Sequence, residues 1–359
     1  MAGLSKIPSA GFQDNVKFRN IIINGDMSIA QRGTSSTGIT GGGYYTVDRF
    51  QTILSSQGTW TQSQSTDVPT GQGFTSSLKM DCTTADASPA ASDVVRVQQN
   101  IEGYNVQYLK YGTSSAESTT LSFWVKSNKT GTYVIQLLNG AVSKQVGKTY
   151  TISSANTWEK KTITFPGDTS TALDNDNSAE LYVQFCLGTG SDRSSGTLSS
   201  TWKSFVSADQ FAGQTVNLAD STSNEWYITG VQLEAGEVAS DFEFLPFDVN
   251  LQRCQRYYQK TFAYATTPAQ NISTNNLLVT VVAGGSSDSR GGYFFPVEMR
   301  ASPTITTFNP YASNSSFRKP NSSTDVAMSP EVNLKFVNFG ASGSGTTSLH
   351  GHFTVNAEL

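Results

Sequence analysis

His350 and His352 are the only histidines in the chain, and Gly351 alone separates them. On a strand, positions i and i+2 point to one side, so the pair would present two imidazoles together. Three chains meeting on an axis there would set six imidazoles around a point suited to a transition metal. The competing reading is two surface or interchain histidines bonded to neighbours, and no metal or other cofactor is assigned. No serine sits in a G-x-S-x-G elbow, and neither a C-x-x-C nor an H-E-x-x-H spacing occurs. Gly41-Gly42-Gly43 lacks the Lys-Thr that follows a phosphate-binding loop. Asp168, Asp174 and Asp176 fall in turn-rich sequence, where solvated aspartates ordinarily sit. Paired-carboxylate glycosidase chemistry therefore has no designated acid and base. The chain is expected not to be an enzyme.

Aromatic residues offer a different chemistry. Sugar recognition stacks pyranose faces on aromatic rings and holds the hydroxyls with amide, carboxylate or guanidinium groups. In residues 121–126, Leu121, Phe123 and Val125 share one strand face, which leaves Trp124 outside with Ser122 and Lys126. Trp124 is therefore a candidate glycan platform. Tyr44, Tyr45, Trp60 and Trp202 are loop or strand-end aromatics of the same type. For each the competing reading is packing in the core or a subunit interface, because tryptophan is highly buried on average.

The elements that must position these residues are β throughout. From Phe18 onward, short apolar or alternating runs are punctuated by Gly, Ser, Thr and Asn, without a strand–helix–strand rhythm. Met27, Ile29 and Gln31 alternate as on a strand. Residues 104–110 lean towards a helix only briefly. Residues 188–224 form a long polar loop whose Trp202 and Phe205 imply packing against something. Residues 226–260 then run from a strand into a turn, an apolar strip (Phe242, Phe244, Pro246, Phe247) and a helix. Gly230 interrupts that strand and predicts a bulge, which would bring Trp226 and Ile228 onto the face of Val231 and Leu233. Asp248 is the expected N-cap, with Leu251, Cys254 and Tyr258 along one helix side. A second β unit follows, with strands expected at residues 262–266, 277–282, 292–295, 304–309, 333–339 and 352–358.

Of 359 residues only 14% are charged, with a net charge of −4, and 37% are hydrophobic. Globular proteins average about 25% charged residues, so hydroxyl and amide side chains must carry solubility. No basic run exists to wrap nucleic acid. No apolar run reaches the roughly 18 residues of a membrane span, and the first residues lack the apolar stretch of a signal peptide. The three cysteines are scattered and odd in number, so no disulfide framework is implied.

Several stretches resemble phage virion proteins of the tail-fibre and receptor-binding kind. They are residues 18–33 (FRNIIINGDMSIAQRG) with 44–50 (YYTVDRF), 121–133 (LSFWVKSNKTGTY), 227–258 (YITGVQLE continuing to CQRYY) and 295–306 (FPVEMRASPTIT). They occur in the order found in that family. The resemblance implies an all-β fold: a jelly-roll sandwich of carbohydrate-binding-module type, then a short helical hinge and a second, smaller β-sandwich. The corresponding boundaries are an attachment arm at 1–17, the jelly roll at 18–247, the hinge at 248–260 and the distal sandwich at 261–359. It further implies a homotrimer located in the virion, made in the host cytoplasm. Such a protein joins other virion proteins through its arm, binds host-surface polysaccharide, and inserts in no membrane. The alternatives are a head fibre, capsid decoration or tail-nozzle appendage, and, from another class, a glycan-degrading tailspike enzyme.

Overall fold

The computed structural model describes residues 18–140, 143–274, 277–283, 289–320, 322–341 and 347–359. The expected attachment arm lies outside these residues. Twelve strands build the first unit: β1 (Ser35–Ile39), β2 (Gln51–Ser55), β3 (Thr59–Ser65), β4 (Ser77–Thr84), β5 (Val94–Glu102), β6 (Thr119–Ser127), β7 (Gly131–Asn139), β8 (Lys144–Ile152), β9 (Glu159–Phe165), β10 (Ala179–Thr189), β11 (Lys203–Ser204) and β12 (Glu225–Ala235). They form two six-stranded antiparallel sheets, ordered β1-β3-β4-β12-β6-β9 and β11-β8-β7-β10-β5-β2. The fold is the expected all-β sandwich.

Alternation explains the layering. Leu121, Phe123 and Val125 of β6 face inward against Tyr133, Ile135 and Leu137 of β7 and Leu181, Val183 and Phe185 of β10, all without solvent exposure. Burying each such side chain contributes about 1.5–3 kcal/mol, so a large sandwich core needs few charges to hold it. Gly230 adopts φ +62°, and the β12–β6 register shifts between Thr229 and Gln232. Trp226, Ile228, Val231 and Leu233 consequently all reach the core, as the bulge predicts.

Residues 18–34 form no strand. Met27, Ile29 and Gln31 are buried as their alternation implies, but Asn24 and Met27 both take positive φ. The Asn24 side chain replaces a neighbouring strand. Its Nδ2 donates to the carbonyls of Ile29 and Asp48 (both 2.9 Å), and its Oδ1 accepts from the Ile29 amide at 2.9 Å. The helical leaning at 104–110 resolves into two 3-10 turns, Gly103–Asn105 and Gln107–Leu109.

Helix α1 (Phe247–Gln255) starts two residues earlier than expected, with Pro246 and not Asp248 at the cap position. Asp248 lies in the first turn, where a carboxylate suits the helix dipole. Cys254 and Tyr257 pack with Ile23 and Ile29, flanked by Leu251 and Leu359. Tyr258 leaves this stripe to open a strand.

That strand, β13 (Tyr258–Lys260), begins the second unit with β14 (Leu277–Ala283), β15 (Ser289–Phe294), β16 (Thr304–Phe308), β17 (Phe317–Arg318), β18 (Asp325–Val326), β19 (Met328–Val332), β20 (Phe336–Ala341) and β21 (Thr347–Asn356). These make one sheet, ordered β18-β17-β21-β14-β15-β20-β19, with β13 and β16 pairing the second half of β21. It folds over a core of Phe295, Met299, Phe317, Val337, Phe339, Leu349, Phe353 and Val355, giving the smaller β unit. The strand expected at 262–266 is absent. Phe262 instead stacks on His352 at 4.0 Å, and Thr266 closes a turn onto Ala263.

Candidate functional site

The outer face of β6 carries Ser122, Trp124 and Lys126, as alternation requires. Trp124 lies between Thr229 of β12 and Lys160 of β9, its cross-strand partners. Phe74, from the loop before β4, and Phe242 and Phe244, from the chain after β12, gather beside it. The three phenylalanine rings form a triangle with centroids 5.1, 5.1 and 4.8 Å apart. Gly230 permits this approach, since a Cβ there would lie 2.6 Å from the Phe74 ring and 3.1 Å from Trp124. The bulge that organises the core thus also opens the outer surface.

The result is a cleft of about 340 Å³ lined by these aromatics with Gln72, Ser122, Lys160 and Asp241. Phe74 is buried at the floor, Phe244 is 50% exposed, and Trp124 and Phe242 are half-buried. Gln232 Nε2 donates to the Asp241 carbonyl at 3.2 Å and Arg19 donates to the same oxygen, which fixes that backbone. Among the described residues, the Asp241 carboxylate and the Lys160 ammonium make no hydrogen bond or ion pair, and both are exposed. The cleft therefore combines apolar ring faces with uncommitted polar groups.

Further along the same sheet face the polar groups are already paired. Lys126 pairs with Asp67, and Trp158 Nε1 donates to the Asp67 carboxylate at 2.9 Å. Lys126 also stands 4.4 Å over the Tyr227 ring. Against partial burial, the Lys126 and Trp158 hydrogen bonds hold the Asp67 carboxyl below its ordinary value. This neighbouring group braces the sheet surface beside the cleft.

The other aromatic candidates lie elsewhere. Trp60 is 0% exposed, and its Nε1 donates to the Gln57 carbonyl at 2.8 Å. It is a core residue and presents no face to a ligand. Tyr44 donates its hydroxyl to the carbonyl of Leu359 at 3.0 Å and fastens the last residue of the chain. Tyr45 donates to the Gly41 carbonyl at 2.8 Å and rests on the core. Trp202 donates to the Pro166 carbonyl at 2.7 Å and meets Tyr111 edge-on at 5.8 Å, which supplies the packing expected of the long loop. Only Trp124 opens on a cleft with uncommitted polar groups.

The histidines and aspartates are likewise dispersed in role. His352 is fully buried, its Nδ1 3.2 Å from Thr261 Oγ1, and burial pulls its pKa below the ordinary value. His350 is half-buried near Tyr311. The His352 ring is packed flat on Phe262 within this one chain. Asp168 is buried, not solvated, and accepts from Ser170 N at 2.9 Å and Ser170 Oγ at 2.6 Å. Asp174 is exposed, and Asp176 accepts from the Ser178 amide at 2.8 Å. No group of three or more His, Cys, Asp or Glu side chains placed to hold a metal occurs among the described residues.

Sequence reasoning missed Phe74, Lys160 and Asp241 as partners of Trp124. The only local signal was the glycine-flanked GQGF at 71–74 and the strip containing Phe242 and Phe244, which carries no mark of where it docks.

No protein-family model matches the chain, and no curated protein matches it. Among solved structures, it is similar to the enzymatically active domain of bacteriophage CBA120 tailspike protein 4, at 13% identity and a TM-score of 0.32. That match covers 60% of this chain and 21% of the other, so it spans about a fifth of the tailspike chain. It is also similar to a xylan-binding domain of carbohydrate-binding-module family 22, at 14% identity over 55% of this chain and 98% of that one, with a TM-score of 0.28. A family 11 carbohydrate-binding module from Clostridium thermocellum, in complex with a β-1,3-1,4-mixed-linked tetrasaccharide, matches at 12% identity over 58% of this chain and 99% of that one, with a TM-score of 0.28.

Proposed function

We propose that this chain is a non-catalytic glycan-binding protein of a phage virion, an adhesin or fibre-type appendage, and that saccharide rings seat in the Trp124 cleft. The observation that carries this reading is the Trp124 ring set beside Phe242 and Phe244, with Lys160 and Asp241 uncommitted at the rim. A pyranose presents an apolar C–H face and a belt of hydroxyls. The first stacks on aromatic rings, and the second is held by a carboxylate and an ammonium. Exposed aromatic side chains clustered with polar groups mark interaction sites on protein surfaces. The virion assignment rests on the ordered family motifs and on the low charge of a surface built from hydroxyl and amide residues. Attachment to other virion proteins through residues 1–17 and assembly as a homotrimer belong to the same proposal.

The test is a polysaccharide panel read by calorimetry and by reducing-end release, with the purified chain and its Trp124→Ala variant. Binding without turnover, weakened about tenfold or more by the substitution, is expected, since a stacked ring contributes about 1–2 kcal/mol. Turnover would instead mark an enzyme. Binding indifferent to Trp124 would move the site, and no binding at all would favour a scaffold role. Light scattering tests the trimer directly: a mass of one chain overturns it.

A further inference from the structure

The opposite sheet has its own outward face. Alternation sends Val95 and Val97 of β5 and Leu181, Val183 and Phe185 of β10 into the core, leaving Arg96, Gln98, Tyr182 and Gln184 outside. Gln98 and Gln184 face each other directly across the two strands. The loop after β10 folds back over them and adds Arg193, Phe205 and Gln210, closing a cleft of about 390 Å³. Its floor is an amide relay. Gln210 Nε2 donates to Gln184 Oε1, Gln184 Nε2 to Gln98 Oε1, and Arg96 Nε to the same Gln98 oxygen, all at 3.0 Å.

Two features of this cleft point to a ligand. Arg96 spends its Nε–H on Gln98 and Arg193 gives one N–H to the Ser92 carbonyl at 2.7 Å, yet neither makes an ion pair among the described residues. Two like charges are therefore held in one half-buried pocket with no carboxylate between them, an arrangement that is unfavourable until an anion enters. Burial, reinforced by the charge of Arg193, brings Arg96 down to about 10, so it stays cationic at neutral pH. The second feature is chemical variety: the wall combines the half-buried rings of Tyr182 and Phe205 with the hydroxyl of Ser207.

We propose that this cleft binds the acidic group, carboxylate or sulfate, of a saccharide, with Arg96 and Arg193 holding the oxyanion while Tyr182 and Phe205 pack on the sugar ring. Guanidinium forks match such oxyanions in planar geometry. The inference rests on the reading that the chain binds glycans, but it places a second subsite on the sheet opposite Trp124, so the two can fail separately.

Calorimetry with three probes of equal length tests it: an oligogalacturonate, a sulfated chondroitin oligosaccharide and a neutral galacto-oligosaccharide. At least one acidic probe binds the wild-type chain, more weakly as salt rises. The R193Q variant is expected to lose about tenfold or more of that affinity, as does R96Q, because a charge-assisted hydrogen bond contributes about 1.5–3 kcal/mol. Whichever acidic probe binds identifies the group that is read. Thermal melts monitor folding, and R193Q carries the test alone if R96Q does not fold. Failure of both acidic probes to bind at millimolar concentration overturns the proposal. So does a loss in the arginine variants that is equal for the acidic and the neutral probe, or an acidic-probe affinity that neither arginine variant changes. A Trp124→Ala variant that loses neutral-glycan binding while these outcomes fail would leave the first cleft standing and remove only this one.

Discussion

Arg49 and Glu358, 309 positions apart, form an ion pair whose side chains are 1% and 5% exposed. Arg49 also donates to the Asn100 carbonyl at 2.7 Å and lies 3.5 Å over the Tyr257 ring. Arg32 reaches the same Glu358 carboxylate at 3.2 Å. The last residues of the second unit are thereby bound into the wall of the first, across the end of α1. Breaking a buried pair from one side strands a charge and costs about 3–5 kcal/mol. Glu358→Gln is expected to destabilise by that order in chemical denaturation; an unchanged midpoint would show that the pair does not hold the units together.

Trp60 and Trp124 are the same residue type on β3 and β6 of one sheet, with opposite environments. Trp60→Ala should cost about 3–5 kcal/mol, the range for a truncated core aromatic. Trp124→Ala should cost less than half of that while weakening glycan binding about tenfold or more. Paired melts and titrations of the two variants check the assignment, which would be wrong if the effects were reversed.

Gly230 serves both the core bulge and the cleft. Its φ of +62° and the 2.6 Å approach to Phe74 leave no place for a methyl group. Gly230→Ala should lower stability by about 2–4 kcal/mol, combining left-handed backbone strain with overpacking, and should weaken saccharide binding through displaced rings. A melt identical to wild type would contradict that account.

Asp48 is fully buried, and burial outweighs Arg32 and the hydrogen bonds from Gln31, raising its carboxyl from 3.8 to about 6. Between those values the folded chain binds a proton that the unfolded chain lacks. Its contribution is therefore full below about pH 4 and is lost as pH rises through about 6. Asp67, Glu159, Asp209 and Asp325 are shifted the opposite way and act equally in wild type and in Asp48→Asn. The wild type should thus lose more stability than the variant between pH 4 and 7. Parallel stability curves would refute the shift.

The sequence by itself determined the strand alternation, the bulge at Gly230 and the outward set of Trp124, because each follows from the two-residue period of a strand. It left Trp60 undecided, since β3 reads Thr-Trp-Thr-Gln-Ser and buries Gln62 beside the tryptophan, so no apolar face marks which side is inward. It misplaced the helix cap: Asp248 is the side-chain type that caps, yet Pro246 holds that position without a side-chain bond and Asp248 falls in the first turn. It also implied a strand at 27–31 whose hydrogen bonds are supplied by the Asn24 side chain. Only the tertiary structure decided that residues 71–74, β6, β9 and 241–244 meet in one cleft, that two arginines share another without a carboxylate, and that Arg49 finds Glu358. Local periodicity sets which face a residue takes. Which distant segments share that face is set by sheet order and stacking, through contacts that have no trace in neighbouring sequence.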